Sequence, residues 1–221
     1  MRSPDLSPEM LDGLRETLAD WDYRATVAFA HLFMEIGDLE ALEGYDAHAL
    51  ASPVAQQMLE ERYLSPDPDV EWLSSLPEHT MGHAYARYYI ENGLDPNLLR
   101  ESAFIEAHKK RGEDVGYMAH RGFQLHDLFH VLTGYDTSPL GEVRVVSFTV
   151  AQTMAPYPAF IIATRPLQAA LYKPQLLPVL MDAITEGWAL GRQAEPLLPV
   201  HWEEHFERPL VELRAEYGLT P

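Results

Sequence analysis

The sequence predicts an all-α fold, a single-domain multi-helix bundle over residues 1–221, and three observations lead there. Apolar residues recur three and four apart along almost the whole chain, which is the period of one helix face. Alternating apolar and polar runs, the mark of a half-buried strand, are scarce. Proline after a capping Ser, and Gly after a last apolar turn, punctuate the segments as helix starts and stops.

Taken in order, Ser7-Pro8 opens a first helix with Met10, Leu11, Leu14 and Leu18 on one side, and Ala25 to Leu42 forms a second. Ser52-Pro53 starts another through Met58, Leu59 and Tyr63, stopped by the Ser-Pro-Asp-Pro-Asp turn at 65–69. A helix over Thr80 to Asn92 ends at Gly93, and one from about Val115 to Leu132 ends at Gly134. Ser138-Pro139 restarts a helix that runs to about Ala155. The remainder reads as Leu167 to Leu190, interrupted by Pro174 and Pro178, and a last amphipathic helix from His201 to Tyr217 stopped by Gly218. Neither an internal repeat nor a linker divides the 221 residues, a length that favours one domain.

Charge excludes one large class of partner. With 16 Lys and Arg against 34 Asp and Glu the net charge is −18, and the longest basic run is Lys109-Lys110-Arg111, so phosphate backbones are repelled and no nucleic acid is expected. The chain has no Cys, which removes disulfides, thiolate nucleophiles and sulfur metal sites; a metal would rest on His, Asp and Glu. The first residues lack an apolar signal core and carry Asp5, Glu9 and Asp12, so neither export nor import is expected from them. Val145 to Thr164 is twenty residues without a charge, long enough to span a bilayer, but Pro156 and Pro158 would break a helix near its middle. A buried helix ending around Ala155 is the better reading.

Three His pairs stand four apart, the spacing that puts two imidazoles on one helix face. His79 and His83 straddle the N-cap expected at Thr80, which favours a capping or solvated role. His201-Trp202-Glu203-Glu204-His205 matches the inverted zincin pattern, yet it opens an acidic helix whose apolar stripe is Trp202, Phe206, Leu210 and Leu213. The middle pair, His126 and His130, lies instead among Phe123, Leu125, Leu128, Phe129, Val131 and Leu132, where imidazoles need partners. Asp127 can join that patch. Gly134 then turns the chain and Glu142, in the first turn of the next helix, comes back toward His130 across a helical hairpin. Two His and two carboxylates can surround one divalent ion there. Spacing leaves open a second arrangement, in which the two His are core residues bonded to Asp127 and Glu142 without a metal.

At these residues the chain resembles a known family. His126-Asp127-x-x-His130, followed after eleven residues by Glu142 in Gly-Tyr-Asp-Thr-Ser-Pro-Leu-Gly-Glu, resembles the signature of the coenzyme Q (ubiquinone) biosynthesis protein 4 family. Leu76 to Tyr85 and Trp202 to Leu219 support the likeness, which covers the chain from about residue 25 to its end. The resemblance implies that His126, Asp127, His130 and Glu142 are zinc-binding positions, and it leaves the other two His pairs outside the signature. It further implies a role in removing the ring carboxylate of a polyprenyl hydroxybenzoate, or replacing it by hydroxyl. Implied partners are that lipid intermediate and other ubiquinone-biosynthesis enzymes; whether the chain also forms a homo-oligomer the sequence leaves open. The implied location is cytoplasmic, held peripherally at the inner membrane.

The residues allow a physical account of that chemistry. A Lewis acid would bind the substrate carboxylate or phenolate, and Asp127 or His130 would act as catalytic groups, Asp127 moving a proton. Zn²⁺ has no redox chemistry, whereas two His and a carboxylate also suit Fe²⁺ and oxygen, so Fe²⁺ or another divalent cation is the alternative ion. The tail needs an apolar place; Phe148, Val150, Met154, Phe160, Ile161, Tyr85, Tyr88 and Tyr89 are candidates, although such stripes usually serve the core. Two rival functions stand beside the enzyme: a non-catalytic lipid-binding scaffold with a structural metal, and an unrelated metallohydrolase using His201, Glu204 and His205.

Overall fold

The computed structural model describes residues 39–97 and 103–220, and among them no strand forms apart from one isolated bridge between Thr80 and Pro209. The helix expected from Ser7 lies outside the described residues, as does most of the one from Ala25. The described helices are α1 (Leu39–Leu50), α2 (Pro53–Glu61), α3 (Val70–Ser74), α4 (Met81–Asn92), α5 (Ala103–Lys109), α6 (Glu113–Thr133), α7 (Pro139–Thr153), α8 (Pro156–Tyr172), α9 (Leu177–Gln193) and α10 (Leu210–Glu216). Short 3₁₀ turns stand at Pro174–Leu176 and Trp202–His205.

Local chemistry explains most of the boundaries. Ser52, Thr80 and Ser138 each cap a helix by accepting from a backbone N–H three residues on, and Pro53 and Pro139 occupy first-turn positions where no N–H is needed. Gly134 ends α6 with φ of 78°, a left-handed turn that a side chain would strain. Arg214 on α10 then donates from Nε to the carbonyl of Leu132 (2.9 Å) and from Nη2 to that of Val131 (2.8 Å), covering the bare carbonyl end of α6.

Four expectations need correction. Leu39–Leu50 stays helical well past Leu42. The chain does break before Pro156, at Met154 in the left-handed region, but Pro156 then begins α8 rather than a loop; Pro156 and Pro158 sit where helix amides have no partner, and Pro166 is carried inside. Pro174 separates α8 from α9, whereas Pro178 lies in the first turn of α9 and does not interrupt it. The helix expected from His201 to Tyr217 is cut in two, because Pro209 would fall in its middle without an N–H to give; only Leu210–Glu216 is α-helical.

The main core joins α4, α6, α7 and the C-terminal segment through Met81, Tyr85, Leu125, Phe129, Leu132, Phe148, Trp202 and Leu213. Helices α7 and α9 pack closely: a Cβ on Gly187 would collide with the carbonyl of Arg144, so only glycine lets the backbones meet. No described helix is long and apolar enough to cross a membrane, in line with the rejected span over Val145–Thr164.

Candidate metal centre

Helix α6 places His126 and His130 one turn apart, and the Gly134 turn folds α7 back against it. The turn is itself fixed: the Asp136 carboxylate accepts from the Ser138 N–H at 3.1 Å and from its hydroxyl, and Ser138 caps Gly141. Those bonds, chiefly the one from the hydroxyl, hold Asp136 below the ordinary carboxylate pKa. Glu142 follows in the first turn of α7, where the helix dipole favours an anion.

The result is a three-residue constellation. Nε2 of His126 lies 3.4 Å from Oε2 of Glu142, and Nε2 of His130 lies 3.4 Å from Oε1. One ligand atom from each of the three comes within 4.8 Å of the others, and among the described residues this is the group that meets that test. Donors held about 2.0 Å from a tetrahedral ion stand about 3.3 Å from one another, so the spacing suits coordination. A direct N–H···O bond would be shorter, about 2.7–3.2 Å.

His130 gives the sharper test of fit. Its Nδ1 is 3.0 Å from the carbonyl oxygen of Tyr135, an acceptor only, so Nδ1–H donates and in the neutral ring Nε2 carries a lone pair. That Nε2 is buried and has no hydrogen-bond partner, while a carboxylate oxygen faces it. Two lone pairs facing each other across 3.4 Å are best reconciled by a cation between them. The carbonyl behind the ring is the support that metal-bound histidines commonly have, and Tyr88 stacks on its face, with centroids 5.4 Å apart.

The charges are mutually adjusted. Burial would raise the Glu142 pKa, but the two imidazoles facing it outweigh burial and hold it at about 2. Burial would lower the His126 pKa, and Glu142, aided by Asp127, raises it instead. Asp127 is raised by burial, against the pull of His126, His130 and a hydrogen bond from Tyr89.

Of the four sequence-predicted ligands, then, His126, His130 and Glu142 converge. Asp127 stands beside them, bonded to Tyr89 and outside the converging set, because consecutive helix positions diverge by about 100°. The other His pairs behave differently. His79 precedes the Thr80 cap, and His83 turns its Nδ1 to the Leu76 carbonyl at 3.0 Å. His201 and His205 bracket a 3₁₀ turn, in which residues four apart leave the common face. His201 stacks on Tyr63 at 3.8 Å, with Glu61 near one nitrogen and Glu204 near the other, and His205 packs edge-on against Trp202.

A cavity of about 700 Å³ opens beside the centre. It follows one face of α6 through Val115, Met118, Ala119, Gly122, Phe123 and His126, a run of twelve residues that measures about 16 Å. Helices α7 and α8 supply Val143, Val146, Tyr157 and Ile161. Asp46, which is paired with Arg111, and His108 also line it, and sequence reasoning missed both; the pattern of α1 and α5 carries no sign that they reach a cavity. Of the proposed tail residues, Tyr88 and Ile161 line it, Phe148, Tyr85, Tyr89 and Val150 are core, and Met154 is exposed.

Comparison with known proteins follows the same residues. The family model of coenzyme Q (ubiquinone) biosynthesis protein Coq4 matches residues 25–221. The mitochondrial ubiquinone biosynthesis protein COQ4 homolog of Danio rerio is 34% identical over 153 residues, 68% of this chain and 53% of its own length. That of Rattus norvegicus is 33% identical over 174 residues, 76% of this chain and 62% of its own. The chain thus spans a little over half the length of these curated relatives. A crystal structure from Nostoc punctiforme PCC 73102 has the same fold, with TM-score 0.73 at 23% identity, covering 96% of this chain and 97% of the other.

Proposed function

The chain belongs to the coenzyme Q (ubiquinone) biosynthesis protein Coq4 family, and from that premise we propose that it removes the ring carboxylate of a polyprenyl hydroxybenzoate in a metal-dependent reaction, with hydroxyl replacing the carboxylate when dioxygen is the oxidant. The observation that carries this reading is the juxtaposition of the His126, His130 and Glu142 centre with a largely apolar cavity of a size typical for small-ligand sites.

His126, His130 and Glu142 would hold the ion, Zn²⁺ or Fe²⁺, which supplies a Lewis acid for the ring carboxylate or phenolate. The apolar walls exclude water and take the tail. Asp127 lines the cavity, and burial keeps its pKa above the ordinary value, which suits a group that hands a proton to the ring carbon as CO₂ leaves. Tyr89 orients that carboxyl. Replacement by hydroxyl removes two further electrons: carboxylic acid, dioxygen and water give phenol, CO₂ and hydrogen peroxide, which balances without a separate reductant.

Peripheral membrane contact fits one face of the molecule. From Val143 to Met181 there is no acidic residue, although the chain carries a charge of −18, and Arg144, Arg165 and Lys173 fall within that stretch. Leu167, Leu171, Tyr172, Val179 and Met181 on α8 and α9 are exposed there. An apolar face with few basic residues suits shallow insertion more than electrostatic adhesion.

The experiment is aerobic incubation of the metal-defined protein with a hydroxybenzoate bearing a short polyprenyl tail, following CO₂ and the ring product. CO₂ release that needs the metal supports the reading. Tail-dependent binding with no turnover under zinc, iron or manganese would overturn it in favour of a lipid-holding scaffold.

A further inference from the structure

We infer that Gly122 sets the bore of the cavity and so decides how long an apolar tail the site accepts; this rests on the reading that the cavity holds the substrate tail. Gly122 is the tenth residue of α6, in the middle of a 21-residue helix, where glycine weakens the helix relative to alanine. Nothing in the packing of the described residues requires it. A Cβ built there meets no atom of those residues within 4 Å, and its φ is not in the left-handed region. Other helical glycines contrast with it: a Cβ would meet Leu76 at 2.7 Å on Gly82, Lys109 at 2.5 Å on Gly116 and Ala151 at 2.7 Å on Gly191, so close packing accounts for them. Gly44 is likewise uncrowded, but it is exposed and lines no cavity.

What Gly122 faces is the cavity, which it lines together with Ala119, Phe123 and His126. It is four residues before His126 and therefore on the same face, about 6 Å along the helix from the metal centre. The cavity continues for about 10 Å more, past Ala119 and Met118 to Val115. A tail anchored at the metal end must pass Gly122 to reach that length, and a side chain at this position would stand in its path.

The test measures binding of hydroxybenzoates with dimethylallyl, geranyl and farnesyl tails to the zinc-loaded protein by calorimetry, in wild type and in Gly122→Ala, Gly122→Leu and Gly122→Phe. Each buried methylene contributes about fourfold in affinity, so wild type should favour the longer tails steeply. The farnesyl-to-dimethylallyl affinity ratio should fall in the order Ala, Leu, Phe, by at least about tenfold at Phe. Circular dichroism and one zinc per chain identify the variants that have folded; if Gly122→Phe has not, Ala119→Phe, one turn further along, must lower the same ratio. An unchanged ratio in a folded Leu or Phe variant overturns the inference while leaving the metal-centre reading standing. A wild type that binds all three tails alike overturns the inference together with the tail reading, and metal-dependent CO₂ release from the same ligands still reports separately on the centre.

Discussion

His130 is the residue on which the centre turns, because its tautomer is set by the Tyr135 carbonyl and its other nitrogen is buried without a partner. His130→Ala should abolish stoichiometric metal binding with helical content retained; elemental analysis and circular dichroism check it, and full occupancy in the variant would refute the site. Glu142→Gln keeps shape but removes charge, and should weaken the metal at least tenfold while changing stability by only about 0.3–1 kcal/mol through the helix dipole. The pH behaviour of the metal-free protein follows from two opposed shifts. Glu142 is held at about 2 against an ordinary 4.5, so its stabilising contribution is complete above pH 4.5 and is lost as pH falls through 2. His126 is raised above 6.5, so its contribution is complete below 6.5 and is lost as pH rises through the higher folded value. The pair therefore contributes most between about pH 4.5 and 6.5. Zinc needs the unprotonated imidazole, so its increment in melting temperature should grow from pH 5.5 to 7.5. A flat increment in a calorimetric scan would contradict the assignment.

Elements matter here as supports that aim those residues. Helix α6 ends two turns after His126 and just past His130, and its last carbonyls are covered by Arg214 from α10. Arg214→Ala should cost about 1.5–3 kcal/mol, the range for hydrogen bonds from a charged donor, and should also weaken metal binding by loosening the end of α6. Arg214→Lys should restore only part, since an ammonium does not reproduce the two-pronged guanidinium contact. Denaturant melts and a zinc titration measure both; a stability loss with unaltered zinc affinity would show that α6 is held in place by other contacts. The α6–α7 hairpin was legible beforehand because its signals are local: Ser138-Pro139 and Gly134 act within a few residues. The segment around Pro156 was not, since a proline reads as a breaker unless the chain has already ended one helix there, and that break is made by Met154 in a left-handed turn.

For the whole molecule, the distribution of histidine and of charge gives two further expectations. Changing His79 and His83 together to Ala, or His201 and His205 together, should leave metal stoichiometry at the wild-type value, because those pairs are turned to the Leu76 carbonyl, to Tyr63 and to Trp202. Loss of metal in the His201/His205 variant would revive the inverted zincin motif. Leu167→Glu with Leu171→Glu should cut binding to vesicles several-fold with metal content intact, since it places two charges on an apolar face. Wild-type binding should change little between low and high salt, as apolar insertion is not screened. Steep salt dependence in a flotation assay would point to an electrostatic surface instead.

The sequence alone determined the class of fold, the hairpin and the residue types of the candidate centre, because helix period, capping and the spacing of His126, His130 and Glu142 are properties of neighbours along the chain. Tertiary structure decided which carboxylate converges: Glu142 does, while Asp127, although adjacent to His126, diverges by the helix turn and bonds to Tyr89 on α4. It also decided that an apolar run is partly core and partly cavity wall. These outcomes depend on contacts between residues far apart in sequence. Packing alone sets α8 across the cavity from α6 and leaves Gly122 facing that space.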